Sequence, residues 1–423
     1  MAMRLGGRSI PRVAVTAVAM VLVAEAGVWL LRPRPAPIPA APVSAGDYFT
    51  QQQIDRGRDY SDGQLWLYGA ALVVEGTVLT SLALGRPRWA RRALRRVEPR
   101  KVVGPLVAGG ALSLTLAVTG LPVAIASHER AVDFGLSTQD LGSWLGDVAK
   151  SALVGAVLAG VGGGILFALV RRFRTRWWIP GAVAVVAIGA VTSWLAPVVI
   201  APLFNKFTPL PAGSQTRSEV LALARRAGVD VGGVYRVDAS RRVTALNAYV
   251  DGIGSSKRVV LYDNLINDSD RAELRSVVAH ELGHVKHDDI LRGLAFVALI
   301  APLGIVFVLQ LADPLLRRAG IAPGSPAALP AYALGLFLAS FVLGTVGNQL
   351  SRRVEASADT FALELTHDPR AFIQLQRQLT ISNVGDPSPP GVLQFLLGTH
   401  PSADQRIGAA VDFKSLSPKP SAG

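Results

Sequence analysis

Apolar and polar residues fall into long separate blocks along this chain. Seven apolar runs carry few charges: residues 13–31, 65–84, 102–127, 151–170, 177–204, 290–311 and 329–350. The shortest has 19 residues. At about 1.5 Å of rise per residue, each helix spans a hydrocarbon core of about 30 Å. The first run is also compatible with a signal peptide ending near Val43, Ser44 and Ala45. Its length, with Arg32 directly after it, favours a retained helix. Five prolines between residues 33 and 42 then make a stiff extended linker.

Polar patterning returns at residues 205–289 and after residue 350. Residues 216–227 read as a helix, with Thr216 and Glu219 as a capping box and Gly228 as the stop. Residues 234–237, 247–250 and 258–262 read as strands, the last two joined by a glycine-containing turn at 252–256. Asp270 and Glu273 form a second capping box, and Leu274, Val277, Val278 and Leu282 an apolar stripe at helical spacing.

That last helix carries H-E-x-x-H at residues 280–284. Residues four apart share a helix face, so His280 and His284 both reach one zinc ion, with Glu281 beside them to act on water. A catalytic zinc takes a third protein ligand. The seventh run leads directly into Glu355 and Asp359, again four apart on one face. Runs six and seven form a hairpin, so their outer ends emerge on one side. His284 and Glu355 then both lie within about 10 Å of the membrane boundary. Glu355 is the expected third ligand, and Asp359 the group that orients a ligand histidine. His287 competes with Glu355 for that position, but a third helical histidine would leave Glu355 without a role.

Composition agrees with a membrane protein: 50% hydrophobic and 17% charged residues, with mean hydropathy +0.37. There is no cysteine, which excludes thiolate ligands and disulfides. The net charge of +13 sits mostly in short loops beside the apolar runs. It reads as a determinant of topology, not as a nucleic-acid surface. Glu25 and Glu75 lie inside apolar runs and are expected to face the bundle interior or water. Gly160 and Gly164 form a G-x-x-x-G, a candidate close helix contact.

The order of these motifs resembles the membrane-embedded zinc endopeptidases typified by the type I CAAX prenyl protease. The resemblance rests on Tyr48-Phe49 and Tyr60, the stretch from Pro202 to Pro211, and Asn247-Ala248-Tyr249. It continues through H-E-x-x-H, then Asn348, Ser351, Arg352, Glu355 and Asp359, then His400-Pro401-Ser402 with Arg406. It implies a mainly α fold: a cage of about seven transmembrane helices around a chamber, with an α+β metalloprotease domain carrying a small β-sheet. It implies one Zn2+ per chain held by His280, His284 and Glu355, and Glu281 as general base. Asn247 and Ala248 would belong to an edge strand that binds substrate backbone. His400 and Arg406 would stabilise the transition state or position substrate, and Asn348, Arg352 and Asp359 would support the ligands. Zinc would polarise the scissile carbonyl and activate water, with Glu281 moving the proton and His400 donating to the oxyanion.

The expected domains are 1–204, a membrane domain of five helices; 205–413, the metallopeptidase domain with the last two; and 414–423, a disordered tail. The expected substrate is a membrane-associated polypeptide, prenylated or not, in a multi-pass cell-membrane protein in contact with lipid. Broad quality-control proteolysis is the alternative. A transporter or channel would leave the zinc motif idle. Charge predicts orientation. Short loops on one side hold 17 Lys and Arg: three at the N-terminus, eight in 85–101, four in 171–176, and Arg317 and Arg318. The other short loops hold six. The richer side is expected in the cytoplasm and the catalytic segments outside it.

Overall fold

The computed structural model describes residues 3–416 apart from 6, 7, 11, 35, 174, 175 and 253–256. A hairpin of Met3–Leu5 (β1) and Arg8–Ile10 (β2) precedes α1, Arg12–Leu31. Next come α2 (Gln51–Thr80, prolonged by a π turn to Gly85), the short α3 (Arg88–Val97), α4 (Val103–Asp133), α5 (Leu141–Phe173) and α6 (Trp178–Leu195). The soluble part contains β3 (Phe207–Pro209), α7 (Gln215–Ala227), β4 (Gly233–Val237), β5 (Ala248–Asp251), β6 (Arg258–Tyr262), α8 (Asp263–Asp268) and α9 (Arg271–Lys286). The chain continues through α10 (Asp289–Ala319), α11 (Leu329–Thr366), α12 (Pro369–Ser382), α13 (Gly391–Leu397) and α14 (Ala403–Leu416).

Among the described residues seven helices are long and apolar enough to cross a membrane: α1, α2, α4, α5, α6, α10 and α11. All seven expected runs are therefore helical. Most extend beyond their apolar limits into polar sequence, α11 by four turns past Leu350. α1 belongs to the bundle. Met20, Ala24 and Val28 are buried on one face, against α10 and α11. Glu25 accepts a hydrogen bond from Gln349 of α11 at 2.7 Å, which satisfies a carboxylate that lipid could not.

The bundle also depends on glycine. A Cβ on Gly109 of α4 would lie 2.3 Å from the Ala159 carbonyl oxygen of α5, and one on Gly160 would lie 2.8 Å from that of Leu106. Gly164 meets only the Leu106 side chain, at 3.0 Å. The close backbone contact therefore involves Gly109 and Gly160, and only the first glycine of the G-x-x-x-G takes part.

The sheet has strand order β3-β4-β6-β5, with β4 and β6 parallel and both outer pairs antiparallel. Val259, Val260 and Leu261 of β6 are fully buried. The apolar face of α9 packs on this sheet with α7 and α12 in one core. Three details differ from expectation. The cap of α7 is Ser214, whose hydroxyl accepts from the Arg217 amide at 3.4 Å, so the helix starts one residue earlier. Helices α12–α14 fill sequence to which no element was assigned, as do β1–β3, α3 and α8. α14 runs to Leu416, so residues 414–416 are helical where a disordered tail was expected; the rest of that tail, and most of the turn at 252–256, lies outside the described residues.

Candidate metal centre

Two helices build the centre. α9 is fixed at its start by the reciprocal Asp270–Glu273 capping box and on one side by its buried stripe, which includes Leu282. Its other side meets α11 at Gly283. A Cβ there would lie 3.2 Å from the Ala358 Cα and 3.2 Å from the Phe361 ring. Ala358 sits between Glu355 and Asp359, so this close approach brings the two polar faces together.

The three expected ligands converge. The Nε2 atoms of His280 and His284 are 3.2 Å apart. Glu355 Oε2 lies 3.2 Å from His280 Nε2, and Oε1 lies 3.7 Å from His284 Nε2. Among the described residues these three are the group with metal-ligand spacing. His287 is elsewhere: it caps the end of α9 and its ring meets Phe361 edge-on, with centroids 5.5 Å apart.

Each imidazole is held through its far nitrogen. His280 Nδ1 lies 2.8 Å from Asp359 Oδ1. Arg406 donates to both oxygens of that carboxylate, at 2.8 and 2.5 Å, and so stands behind the ligand histidine. His284 Nδ1 lies 3.0 Å from Asp289 Oδ2. Arg292 donates to the other Asp289 oxygen at 2.9 Å and to the Leu31 carbonyl, at the end of α1, at 2.7 Å. Asp289 was not expected from sequence. Its position depends on the turn at Asp288, which adopts a left-handed φ of 53° between α9 and α10. Aspartate tolerates that conformation better than most residues.

These contacts give a test of fit to a metal. An Nδ1–H donated to a carboxylate leaves the lone pair on Nε2. Two such lone pairs face one another at 3.2 Å, and the buried Glu355 Oε2 has no hydrogen-bond partner. A shared cation satisfies all three. Tetrahedral coordination with metal–nitrogen bonds of about 2.0–2.1 Å sets the nitrogens about 3.3 Å apart, close to the observed spacing. When no metal is bound, a proton takes its place. Burial pulls the His280 imidazole down, but the nearby carboxylates of Asp359 and Glu355 prevail and raise it to about 10. Loss of solvent pushes the Glu281 carboxyl up, against the pull of His280 and His284.

His400 approaches from the C-terminal segment, its Nε2 3.3 Å from Glu355 Oε2. The Thr399 hydroxyl lies 2.9 Å from His400 Nδ1, an arrangement that leaves the proton on Nε2 when the hydroxyl donates. Asn348 and Arg352 do not touch the ligands. Asn348 donates to the Leu396 carbonyl at 2.9 Å and Arg352 to those of Gln394, at 3.0 Å, and Gly398. Both therefore pin α13 and the turn that presents His400. Asn247 precedes β5, the edge strand, and its carbonyl accepts from the Tyr262 amide at 3.1 Å, while Ala248 is buried and pairs with Leu261. Among the described residues the outer side of β5 is unpaired, one of the two edges of the sheet, and β5 packs beside α9.

Two family models match consecutive parts of the chain. The CAAX prenyl protease N-terminal model, described as five membrane helices, matches residues 38–206, and the peptidase family M48 model matches residues 213–413. A Bacillus subtilis protein named uncharacterized metalloprotease YhfN is 30% identical over 305 residues, 70% of each chain.

The chain belongs to peptidase family M48.

Other relatives in the family match over a smaller part. The CAAX prenyl protease 1 of Saccharomyces cerevisiae is 34% identical over 194 residues, 44% of this chain and 42% of its own. The Dictyostelium discoideum CAAX prenyl protease 1 homolog is 32% identical over 228 residues, 51% of this chain and 53% of its own. The solved structure of Saccharomyces mikatae Ste24p superposes with a TM-score of 0.75 over 95% of this chain and 100% of that one, at 20% identity, which establishes the shared fold. Membership of M48 makes the protein a metallopeptidase, its long apolar helices and the match to the five-helix model make it a membrane protein, and the His-His-Glu group is its candidate metal centre. Within the N-terminal match lie four of the seven spans, and α1 precedes it.

Proposed function

We propose that the protein is a zinc-dependent endopeptidase that cleaves membrane-associated polypeptides, CAAX-type prenylated chains among them. The observation that carries this reading is the convergence of His280 Nε2, His284 Nε2 and Glu355, with each imidazole fixed from behind by a carboxylate. Two imidazoles and one carboxylate, with no thiolate, form a donor set of the catalytic zinc type. The chemistry such an ion supplies is polarisation of the scissile carbonyl and a lowered pKa for the attacking water. The chain's own residues do the rest. Glu281 accepts the water proton on its carboxylate and returns it to the leaving amine nitrogen. His400 offers its Nε2–H to the oxyanion. The free edge of β5 aligns the substrate backbone by strand addition.

The domain division follows from this assignment: 1–204 supplies five helices of the membrane cage, and 205–413 the peptidase together with the last two. The loop charges orient the cage with the catalytic segments on the extracytoplasmic side. A tag after Leu416, reached by protease in intact cells, supports that orientation; protection until the membrane is opened contradicts it.

The function is tested with purified protein and matched farnesylated and unmodified peptides, with and without a chelator. Cleavage is expected to stop with the chelator and return with zinc. Glu281→Gln is expected to keep the metal and lose at least a hundredfold in turnover, as for removal of a general base. Chelator-resistant cleavage, or full activity in Glu281→Gln, contradicts the mechanism. Equal cleavage of both peptides would favour broad quality-control proteolysis over CAAX processing.

A further inference from the structure

A second site lies at the opposite end of the bundle. α11 runs from Leu329 to Glu355 between the two regions, which at about 1.5 Å per residue places them roughly 40 Å apart, close to a full bilayer thickness. Here α3 and the ends of α2, α10 and α11 line a cleft of about 300 Å³. The sequence of α3, Arg-Trp-Ala-Arg-Arg-Ala-Leu-Arg-Arg-Val, is that of an interfacial helix. Ala90 is buried and Leu94 is turned toward the bundle, while Trp89 remains 61% exposed, as expected of an aromatic at the headgroup level.

The lining of the cleft has two characters. Leu82, Leu94, Leu315 and Leu316 make an apolar floor. Arg86, Arg91 and Arg95 stand around it. Arg86, held at a left-handed φ of 50°, caps the end of α10 by donating to the Ala319 carbonyl at 3.3 Å. The carboxylate in the cleft, Glu98, accepts from the Ser325 hydroxyl at 2.6 Å. Among the described residues no hydrogen bond or ion pair engages the guanidinium of Arg91 or of Arg95. The cleft therefore combines a net positive rim with a hydrocarbon floor at the level where a headgroup meets its acyl chains.

We infer that this cleft binds one anionic phospholipid, its phosphate held by Arg91 and Arg95 and the start of an acyl chain on Leu82 and Leu315. Charge complementarity selects the ligand. A zwitterionic lipid brings its own cation to a rim that already carries excess positive charge, and a free inorganic anion leaves the apolar floor unused. The site is separate from the peptidase centre.

The test is native mass spectrometry of the full chain released from nanodiscs of equimolar phosphatidylglycerol and phosphatidylcholine. Wild type is expected to retain one phosphatidylglycerol in preference to phosphatidylcholine. Arg91→Gln with Arg95→Gln is expected to lower that retention about tenfold or more, since each basic residue near an anionic surface contributes about fivefold and the two multiply. Its melting temperature and peptidase activity should not change. Arg172→Gln with Arg176→Gln removes the same charge from exposed positions on the same membrane face, outside the cleft, and should keep the lipid. Equal loss in that control would mean diffuse attraction and overturn the site. So would equal retention of phosphatidylcholine by wild type, or wild-type retention in the Arg91/Arg95 variant.

Discussion

At the scale of single residues, the nitrogen that faces away from the metal position governs each ligand. Asp359, itself held by Arg406, sets the tautomer of His280, and Asp289, held by Arg292, sets that of His284. Asp359, together with Glu355, also makes a metal-free centre retain a proton. His280 is expected to stay imidazolium at neutral pH and to lose its proton only near about 10. Zinc must displace that proton, so binding weakens as pH falls. A labelled-histidine NMR titration of the metal-free protein is expected to show this high value, and Asp359→Asn is expected to bring it down. A His280 that titrates near the ordinary 6.5 contradicts the account. The helical period places His280, His284, Glu355 and Asp359 on matching faces, so that set was legible in the sequence. Asp289 was not, because its reach to His284 depends on one left-handed residue in the connecting turn.

Between elements, the separation of α9 and α11 decides whether three side chains share one ion. Gly283 sets it. Gly283→Val adds three carbons where a single Cβ already lies 3.2 Å from the Ala358 Cα, so the helices must move apart. Overpacking of this kind typically costs about 1–3 kcal/mol. The expected outcome is a folded membrane protein with weakened zinc retention, measured by competition against a chromogenic chelator. Unchanged retention would mean that the helix spacing does not control the centre. The long helices were legible because 20 apolar residues have few alternatives in a membrane. β3 was not, because three residues make no periodic signal. Nor was the role of Arg352 and Asn348, whose hydrogen bonds go to carbonyls of a short helix more than 40 residues away.

For the whole molecule, the membrane delivers the ligands. α10 leaves from the H-E-x-x-H helix and α11 returns with Glu355, so a hairpin of two spans brings both halves of the centre to one depth. α1 is tied into the same structure through Arg292 and the Leu31 carbonyl, and through Glu25 and Gln349. The most direct measurement is metal content of the purified protein by mass spectrometry, for wild type and for Glu355→Ala. One zinc per chain is predicted for the wild type, and its loss from the variant under the same buffer exchange. Equal zinc in both proteins would show that the carboxylate of the seventh span is not a ligand, and the proposed centre would be wrong.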